Sequence, residues 1–375
     1  MRFGFASLIV AIITFPWALS AQVRQIDLPE NLYAFTFQED SFGKVWIGLS
    51  DGNTSGALGY FNDTSFVQVS GTEELPNGSY HASIKLPDGS LMFGGNLLDQ
   101  QGKSFIAWIF SEKPDTIHIP YSLYNPFINS FALINRHEIW IGTGSGLLRN
   151  NRGQWSHFSV QDGLPHNFIT SIYQDFRGIV WIGTEVGAAF FEDNQFHQIP
   201  SGTRIISSIT QFFGDNRGYV WCGSRYTSEG ISVYNGELWE TFSGRHGLVD
   251  NSSSVFFQAP DGKLWVGSCY NRSRGGASVF DGRQWAAYSS DDMLAKPCVD
   301  AIAADGKGRI WLGGSLTPRR EKGITIYYEG NWHQIVDNKE LPAERILTFF
   351  LDSKNRFWIS SFEGLFILDP DFEIP

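Results

Sequence analysis

Short apolar runs separated by turn residues make up nearly the whole chain after residue 21. In Ile169–Ile199, four such runs are rich in β-branched and aromatic side chains, and Gly, Asp and Asn stand between them. Runs of this length and composition predict strands, and the residues between them predict tight hairpin turns. We therefore expect this stretch to form one four-stranded antiparallel unit.

The same unit recurs along the chain. Its marker is an aromatic residue or Met in the second strand, followed two residues later by Gly, or by Ser in the last copy. The eight marker residues are spaced by 40 to 48 residues and are Trp46, Met92, Trp140, Trp181, Trp221, Trp265, Trp311 and Trp358. Asp-Gly turns before the marker and a Trp in the fourth strand recur in phase with it. A period in the forties with four strands per unit predicts a β-propeller.

The first and last units complete each other. The eighth unit ends with a third strand at Leu365–Leu368, and no fourth strand follows it in the sequence. The segment QVRQID at Gln22–Asp27 matches QFHQIP, the fourth strand at Gln195–Pro200. We therefore expect an all-β chain with a single eight-bladed β-propeller over residues 22–375, built of four-stranded antiparallel blades. The N-terminal strand should complete the last blade and close the ring.

The first residues have a different pattern. Arg2 precedes a continuous apolar run, Phe3–Leu19, and small residues stand at and just after its end, at Ala18, Ser20 and Ala21. This pattern predicts a signal peptide over residues 1–21 and a periplasmic or secreted protein. An uncleaved anchor is the alternative, which the short run and Pro16 disfavour. We expect no stable membrane span in the mature chain.

Composition excludes some classes of function. The 375 residues carry a net charge of −11, so nucleic acid is not an expected partner. The eight His residues show no metal-ligand spacing, and no motif names a nucleophile or an acid–base pair. We therefore expect no metal, no cofactor and no catalytic residues. The marker tryptophans recur in nearly every blade, which favours packing between blades over stacking on a ligand.

Three phrases carry a resemblance to a known family. They are Asp162–Asn167, Ile172–Asp175 and Gly178–Thr184, and together they resemble the two-component-regulator propeller repeat. In that family such propellers are typically periplasmic sensor parts of hybrid histidine kinases, often implicated in sensing carbohydrates. The resemblance implies a ligand-binding sensor, here without the kinase part, that signals through a partner sensor kinase or membrane protein. A streptogramin-lyase-like lyase or hydrolase and a protein-binding scaffold are the alternatives.

Candidate binding residues lie in the loops after the second strands, which vary between blades and share one face. Three successive loops, in blades five to seven, are basic and interleaved with aromatic or amide residues. The candidates are Arg225, Tyr226, Tyr270, Asn271, Arg272, Arg274, Arg319 and Arg320, with His166 and His246 in loops after fourth strands. Arg suits anionic oxygens and Tyr can stack on sugar rings, so we expect a saccharide or another anionic ligand here. Solvated loop charges are the competing interpretation.

Three cysteines leave at least one unpaired. Cys222 follows a marker Trp and is expected to be a buried free thiol. Cys269 and Cys298 are expected on the loop face of adjacent blades. They could form a disulfide, or they could be two independent buried thiols.

Overall fold

The computed structural model describes residues 22–72, 75–97, 104–110, 113–199, 205–226, 229–270, 274–289, 294–295, 297–314, 323–335 and 341–374. These residues form eight four-stranded sheets, each with antiparallel pairing between neighbouring strands. The described part also contains two 3₁₀ turns, Val160–Asp162 and Gly244–His246. The prediction of an eight-bladed propeller is confirmed.

Blades 1 to 7 each take their strands in chain order from the channel outward. In blades 1 to 4 the strands are β2 (Tyr33–Glu39), β3 (Val45–Ser50), β4 (Leu58–Phe61), β5 (Phe66–Gln68), β6 (Ser79–Lys85), β7 (Leu91–Asn96), β8 (Phe105–Phe110), β9 (Lys113–His118), β10 (Ile128–Ile134), β11 (Glu138–Thr143), β12 (Gly146–Asn151), β13 (Gln154–Phe158), β14 (Ile169–Gln174), β15 (Val180–Thr184), β16 (Ala188–Glu192) and β17 (Gln195–Gln198).

In blades 5 to 7 the strands are β18 (Gln211–Gly214), β19 (Val220–Gly223), β20 (Ile231–Tyr234), β21 (Trp239–Phe242), β22 (Val255–Gln258), β23 (Leu264–Tyr270), β24 (Arg274–Phe280), β25 (Trp285–Tyr288), β26 (Ala301–Ala304), β27 (Ile310–Gly313), β28 (Ile324–Tyr328) and β29 (Asn331–Ile335). Blade 8 is formed by β30 (Ile346–Leu351), β31 (Phe357–Ser361), β32 (Gly364–Leu368) and the N-terminal strand β1 (Val23–Ile26).

The N-terminal strand closes the ring as predicted. Strand β1 pairs antiparallel with β32, with Val23 opposite Leu368 and Ile26 opposite Leu365. The Asp369 N–H also donates to the Gln22 carbonyl at 3.0 Å. Blade 8 therefore combines three strands from the end of the sequence with one from its beginning. Because β1 pairs with β32, the outer edge of β32 is covered along these residues.

The marker tryptophans pack between blades, and none is more than 3% exposed. The Trp181 ring lies 5.4 Å from the Trp239 ring in the fourth strand of the next blade, and Trp265 lies 6.0 Å from Trp332 in the same way. Blade 8 has no aromatic residue at this place in β1. Phe372, beyond the last strand, fills it instead and lies 6.0 Å from Trp311. The two repeated aromatic motifs are thus two halves of one contact between blades.

The marker glycines allow the blades to approach each other closely. A Cβ built on Gly183 would lie 2.8 Å from Ile209 Cγ2 of the next blade, and one on Gly94 would lie 2.7 Å from Ile128 Cγ2. In blade 8 the equivalent residue is Ser360, whose hydroxyl donates to the Ala34 carbonyl of blade 1 at 2.6 Å. The apparent irregularity of the last copy therefore makes a hydrogen bond across the seam.

Aspartates in the turns after the first strands do more than begin a turn. In blades 1, 4, 5, 7 and 8 one carboxylate oxygen accepts two backbone N–H groups of the turn, and the other accepts the marker indole N–H. These residues are Asp40, Asp175, Asp215, Asp305 and Asp352. Asp88 and Asp261 stand two positions later in their turns and bond only within them. Our expectation of one equivalent Asp turn was therefore too simple for blades 2 and 6.

Cys269 and Cys298 form a disulfide between the end of β23 and the segment that leads into β26, with Cα atoms 4.4 Å apart. Cys222 is a buried free thiol, and burial raises its pKa. The disulfide joins blades 6 and 7 on the face that carries the loops between second and third strands.

Candidate functional site

The loops between second and third strands and those between blades lie on one face of the propeller, which we call the loop face. A cavity of about 810 Å³ opens there. Its lining includes residues in the first strands, or directly before them, of seven successive blades, from Phe35 in blade 1 to Asp300 in blade 7. Only the central axis is close to so many first strands, so the cavity is the mouth of the channel. Its volume is within the range typical of small-molecule sites.

One side chain per blade builds the wall of this cavity. It belongs to the residue that stands eleven positions before the marker. The eight residues, which we call the ring, are Phe35, His81, Asn129, Thr170, Thr210, Ser254, Asp300 and Leu347. All except Leu347 line the cavity. The ring therefore presents one independently variable side chain from each blade.

The backbone explains why this position faces the channel. In blades 1, 2, 3, 4 and 8 the pairing of the first and second strands skips the ring residue, as in a β-bulge. In blades 5 to 7 the ring residue precedes the first strand and donates its N–H to the marker glycine carbonyl. The N···O distances are 2.9 Å for Thr210, 2.7 Å for Ser254 and 2.8 Å for Asp300.

The ring has an apolar arc and a polar arc. Leu347 and Phe35, in blades 8 and 1, are apolar, and the ring residues of blades 2 to 7 are all polar. Further lining residues add hydroxyl and amide groups at Ser171, Ser208 and Gln211, and aromatic rings at Phe168 and Tyr226. The mouth therefore combines hydrogen-bonding groups with flat apolar surfaces.

His81 is a neutral ring residue. Its Nε2 lies 2.7 Å from Ser79 Oγ and 3.1 Å from Ser50 Oγ. The centre of its imidazole is 4.6 Å from the centre of the Phe35 phenyl group. Burial lowers the pKa of His81 to about 4, and the Asp51 carboxylate only partly opposes that effect. The imidazole is therefore uncharged at neutral pH and can serve as a hydrogen-bond partner or proton acceptor.

Arg225 is the predicted site residue that the structure places in the cavity wall with an ion-pair partner. Its Nη2 lies 3.2 Å from Asp300 Oδ1, so the pair joins blade 5 to blade 7 past blade 6. Tyr226, the next residue, also lines the cavity and is 74% exposed. These two residues of the predicted set lie together at the mouth.

His166 and His246 lie outside the cavity lining. His166 Nδ1 accepts the Phe168 N–H at 3.1 Å, and we therefore assign the imidazole proton to Nε2. The Glu185 Oε2 atom is 4.0 Å from the same Nδ1. His246 Nδ1 accepts the Ser243 N–H at 2.9 Å. Asp162 holds the same place in the loop between blades 3 and 4, where it accepts the Ser159 N–H at 2.8 Å. His246 is therefore a capping residue of the loop.

The remaining predicted residues cannot be placed in the site. Asn271, Arg272, Arg319 and Arg320 lie outside the described residues, and the side chains of Tyr270 and Arg274 are also outside the description. Glu229, which could have faced them, accepts the Ser207 hydroxyl at 2.8 Å. The three basic loops thus stay a prediction, apart from Arg225.

The members of the ring share no residue type, so they were not predicted from the sequence. The signal that could have found them is positional, since each lies eleven residues before a marker. His81 had a second signal. It falls in the first strand β6, whereas His118, His157, His197 and His333 fall in fourth strands.

A smaller cavity of about 410 Å³ lies on the opposite face between blades 3 and 4. Glu138 lines it, but its carboxylate already accepts from Arg149, Trp140 and Asn151. The variable loops do not reach this face, so the channel mouth is the better candidate site.

Comparison with known proteins supports the repeat assignment. Residues 163–186 match the model of the family described as two component regulator propeller, which confirms that the chain carries this repeat. No curated protein matches the sequence at a significant level. Within the described ranges, no helix has the length and apolarity that a bilayer-spanning segment needs.

Two solved structures have similar folds. One is described as the extracellular domain of a hybrid two component system from B. thetaiotaomicron, with 19% identity and a TM-score of 0.59. The match covers 93% of this chain but 41% of that one. The other is virginiamycin B lyase from Staphylococcus aureus, with 10% identity, a TM-score of 0.52, and coverage of 92% and 98%. At these identities the likeness establishes the propeller fold.

Proposed function

We propose that this chain is an exported ligand-binding propeller of the sensor type, which takes a neutral saccharide at the mouth of its channel. The observation that carries the proposal is the composition of the cavity wall. Hydroxyl and amide side chains can hydrogen-bond to sugar hydroxyls, and the rings of Phe35, Phe168 and Tyr226 can stack on the apolar faces of sugars.

The charges at the mouth favour a neutral ligand. Arg225 is paired with Asp300, and His81 is uncharged at neutral pH. The remaining charged group among the described lining residues is the half-exposed carboxylate of Glu185, which lies 4.0 Å from His166 Nδ1. An anionic ligand would be repelled by that carboxylate. An acidic saccharide, which the loop arginines suggest, is the alternative outcome of the experiment below.

Export and signalling complete the proposal. A disulfide such as Cys269–Cys298 forms and persists in oxidising compartments, which supports a periplasmic or secreted location. The resemblance to sensor propellers suggests that binding is passed to a sensor kinase or another membrane protein. The loop face, where the cavity opens, is the surface at which a bound ligand could contact such a partner.

A lyase or hydrolase is the second candidate function. The observation that favours it is His81, an unprotonated imidazole in the wall of a ligand-sized cavity, which could act as a general base. Mass spectrometry of any bound saccharide after incubation with the protein distinguishes the two functions. An intact saccharide supports binding, whereas a cleaved product that His81→Ala abolishes supports an enzyme.

A glycan array followed by calorimetry tests the binding function. The wild-type protein should bind at least one neutral oligosaccharide. Phe35→Ala and Tyr226→Ala should each weaken that binding roughly 3- to 10-fold, because each removes a stacking surface. Tyr124→Ala is a matched control, since Tyr124 is fully exposed and outside the cavity lining. The proposal fails if no neutral glycan binds, or if both cavity variants bind as well as the wild type.

A further inference from the structure

Arg225 crosses the cavity wall from one blade to the next but one. Its backbone N–H donates to the hydroxyl of Thr210, the ring residue of blade 5, at 3.2 Å. Its guanidinium reaches Asp300, the ring residue of blade 7, with an Nη2–Oδ1 distance of 3.2 Å. One residue therefore contacts the ring positions of blades 5 and 7, through its backbone and its side chain respectively.

The two members of the ion pair differ in exposure. The Asp300 side chain is 4% exposed and the Arg225 side chain is 35% exposed. The other N–H groups of the Arg225 guanidinium have no acceptor among the described residues. Asp300 thus holds the guanidinium from the protein side, and the remaining donors are left for a ligand in the cavity.

We propose that Asp300 is a positioning residue that makes Arg225 a donor for neutral oxygen atoms and sets the charge preference of the mouth. This inference rests on the proposed saccharide-binding function and names its anchor. An arginine fork donates several parallel hydrogen bonds, which fit adjacent hydroxyl oxygens of a sugar ring. Because Asp300 neutralises the arginine, the pair attracts a neutral saccharide without attracting a carboxylate or sulfate.

The ring residue between them gives independent support. Ser254 lines the cavity in blade 6, and its hydroxyl oxygen is buried without a hydrogen-bond partner among the described residues. Buried polar groups in native proteins are nearly always satisfied by the protein or by water, so a water or a ligand hydroxyl is a suitable partner for Ser254 at this place in the cavity wall. A sugar hydroxyl held by the Arg225 donors would be close to this serine.

The experiment uses paired probes on the full chain. Neutral hexose oligosaccharides and oligo-uronides of matched length are titrated by calorimetry into the wild type, Asp300→Asn, Arg225→Lys and Arg225→Met. Arg283→Met is the control, because Arg283 is an exposed arginine in a third-to-fourth-strand turn on the opposite face. Thermal unfolding of each variant checks that it folds. If Arg225→Met does not fold, Arg225→Lys still tests the loss of the guanidinium, because it keeps a positive charge beside Asp300.

The wild type should prefer neutral oligosaccharides to uronides by at least about 10-fold. Arg225→Lys and Arg225→Met should weaken neutral binding by about 10-fold or more, since each loses the donor fork. Asp300→Asn should reverse the neutral-to-uronide preference, a change that a purely structural role of Asp300 would not produce. The inference is overturned, while the proposed binding function stands, if the wild type binds neutral probes and these variants bind both probes as the wild type does. It is likewise overturned if the wild type prefers uronides. If the wild type binds no probe, the proposed function fails and the inference falls with it.

Discussion

The indole N–H of Trp221 donates to the Asp215 carboxylate at 2.9 Å, and this bond ties a turn to the next strand of the same blade. The same carboxylate accepts the backbone N–H groups of Arg217 and Tyr219 and pairs with the Arg217 guanidinium. Its side chain is fully buried. One aspartate therefore satisfies the turn and the marker indole, and it partners an arginine.

Replacing this aspartate should destabilise the protein. Asp215→Asn removes the charge opposite Arg217 and leaves fewer acceptor positions, so we expect a loss of about 2–3 kcal/mol in the free energy of unfolding. Asp261→Asn is the matched control in blade 6, where a half-exposed carboxylate has Lys263 as its ion-pair partner among the described residues, and it should cost less than about 1 kcal/mol. Urea denaturation measures both. Equal losses would contradict the role assigned to Asp215.

The close approach at the marker glycines gives a second prediction. Gly183→Ala should cost about 1–3 kcal/mol, because the new Cβ meets Ile209 of the next blade. Ile209→Ala alone should also destabilise, since it opens a cavity at a fully buried residue. The double variant should lose less than the sum of the two, as denaturation curves would show in a double-mutant cycle. Additive losses would mean that the two residues do not compete for space.

Ring closure predicts the effect of a short deletion. A protein that begins at Leu28 or later lacks β1, so the edge of β32 loses its partner. We expect it to aggregate or to lose the cooperative unfolding transition of the protein that begins at Gln22. Light scattering and differential scanning calorimetry measure the two outcomes. An unchanged melting transition would show that β1 is not needed for closure.

The low pKa of His81 predicts a pH dependence of stability. Its pKa is about 4 in the folded protein against 6.5 for an ordinary histidine, so the unfolded chain binds more protons between these values. Stability should therefore fall as pH decreases from about 6.5 to about 4, by at most about 3 kcal/mol from this residue. Below pH 4 the contribution should level off.

His81→Gln should flatten this part of the curve, measured as the denaturation midpoint at pH 4 to 7. The NMR titration of the His81 ring supplies a direct check, with an expected midpoint near pH 4. A midpoint near 6.5, or an unchanged slope in the variant, would show that the imidazole is solvated.

The cysteine assignment is measurable by mass. Under denaturing conditions without reductant, alkylation should modify one cysteine, Cys222, and after reduction it should modify all three. Cys298→Ser should cost about 2–4 kcal/mol in unfolding free energy, because the disulfide closes a loop across 29 residues of sequence. Modification of three cysteines without reductant would contradict the disulfide.

The fold was predictable because the packing demands repeat. Every blade needs a large ring against its neighbour and a small residue where the next blade approaches, so Trp181 and Gly183 recur with a regular period. The closing strand was predictable for the same reason, since β1 resembles the fourth strands. The local environment of these residues is nearly identical in each blade.

The candidate site was less predictable because ligand contacts need not repeat. His81 and Asp300 occupy the same structural position but share no side-chain chemistry, so a search for recurring residues passes over them. Arg225 was predicted from its charge. Its partner Asp300 is 75 residues away in sequence and becomes a neighbour only in the folded propeller. The structural roles of His246 and Glu229 likewise depend on backbone groups that sequence does not display.

The backbone position of the ring residues, a bulge in blades 1 to 4 and 8 and the residue before the first strand in blades 5 to 7, has an evolutionary consequence. Its residue lies outside the regular strand ladder, so exchanging that side chain leaves the ladder between the first and second strands intact. Under the proposed function, ligand preference can then change one blade at a time while the strand pairing of the scaffold stays the same. In this chain the ring residues from blade 1 to blade 8 are, in one-letter code, FHNTTSDL. Under the proposed function, eight-bladed chains with the same residues at the ring positions should bind the same class of ligand even where the rest of their sequences differ.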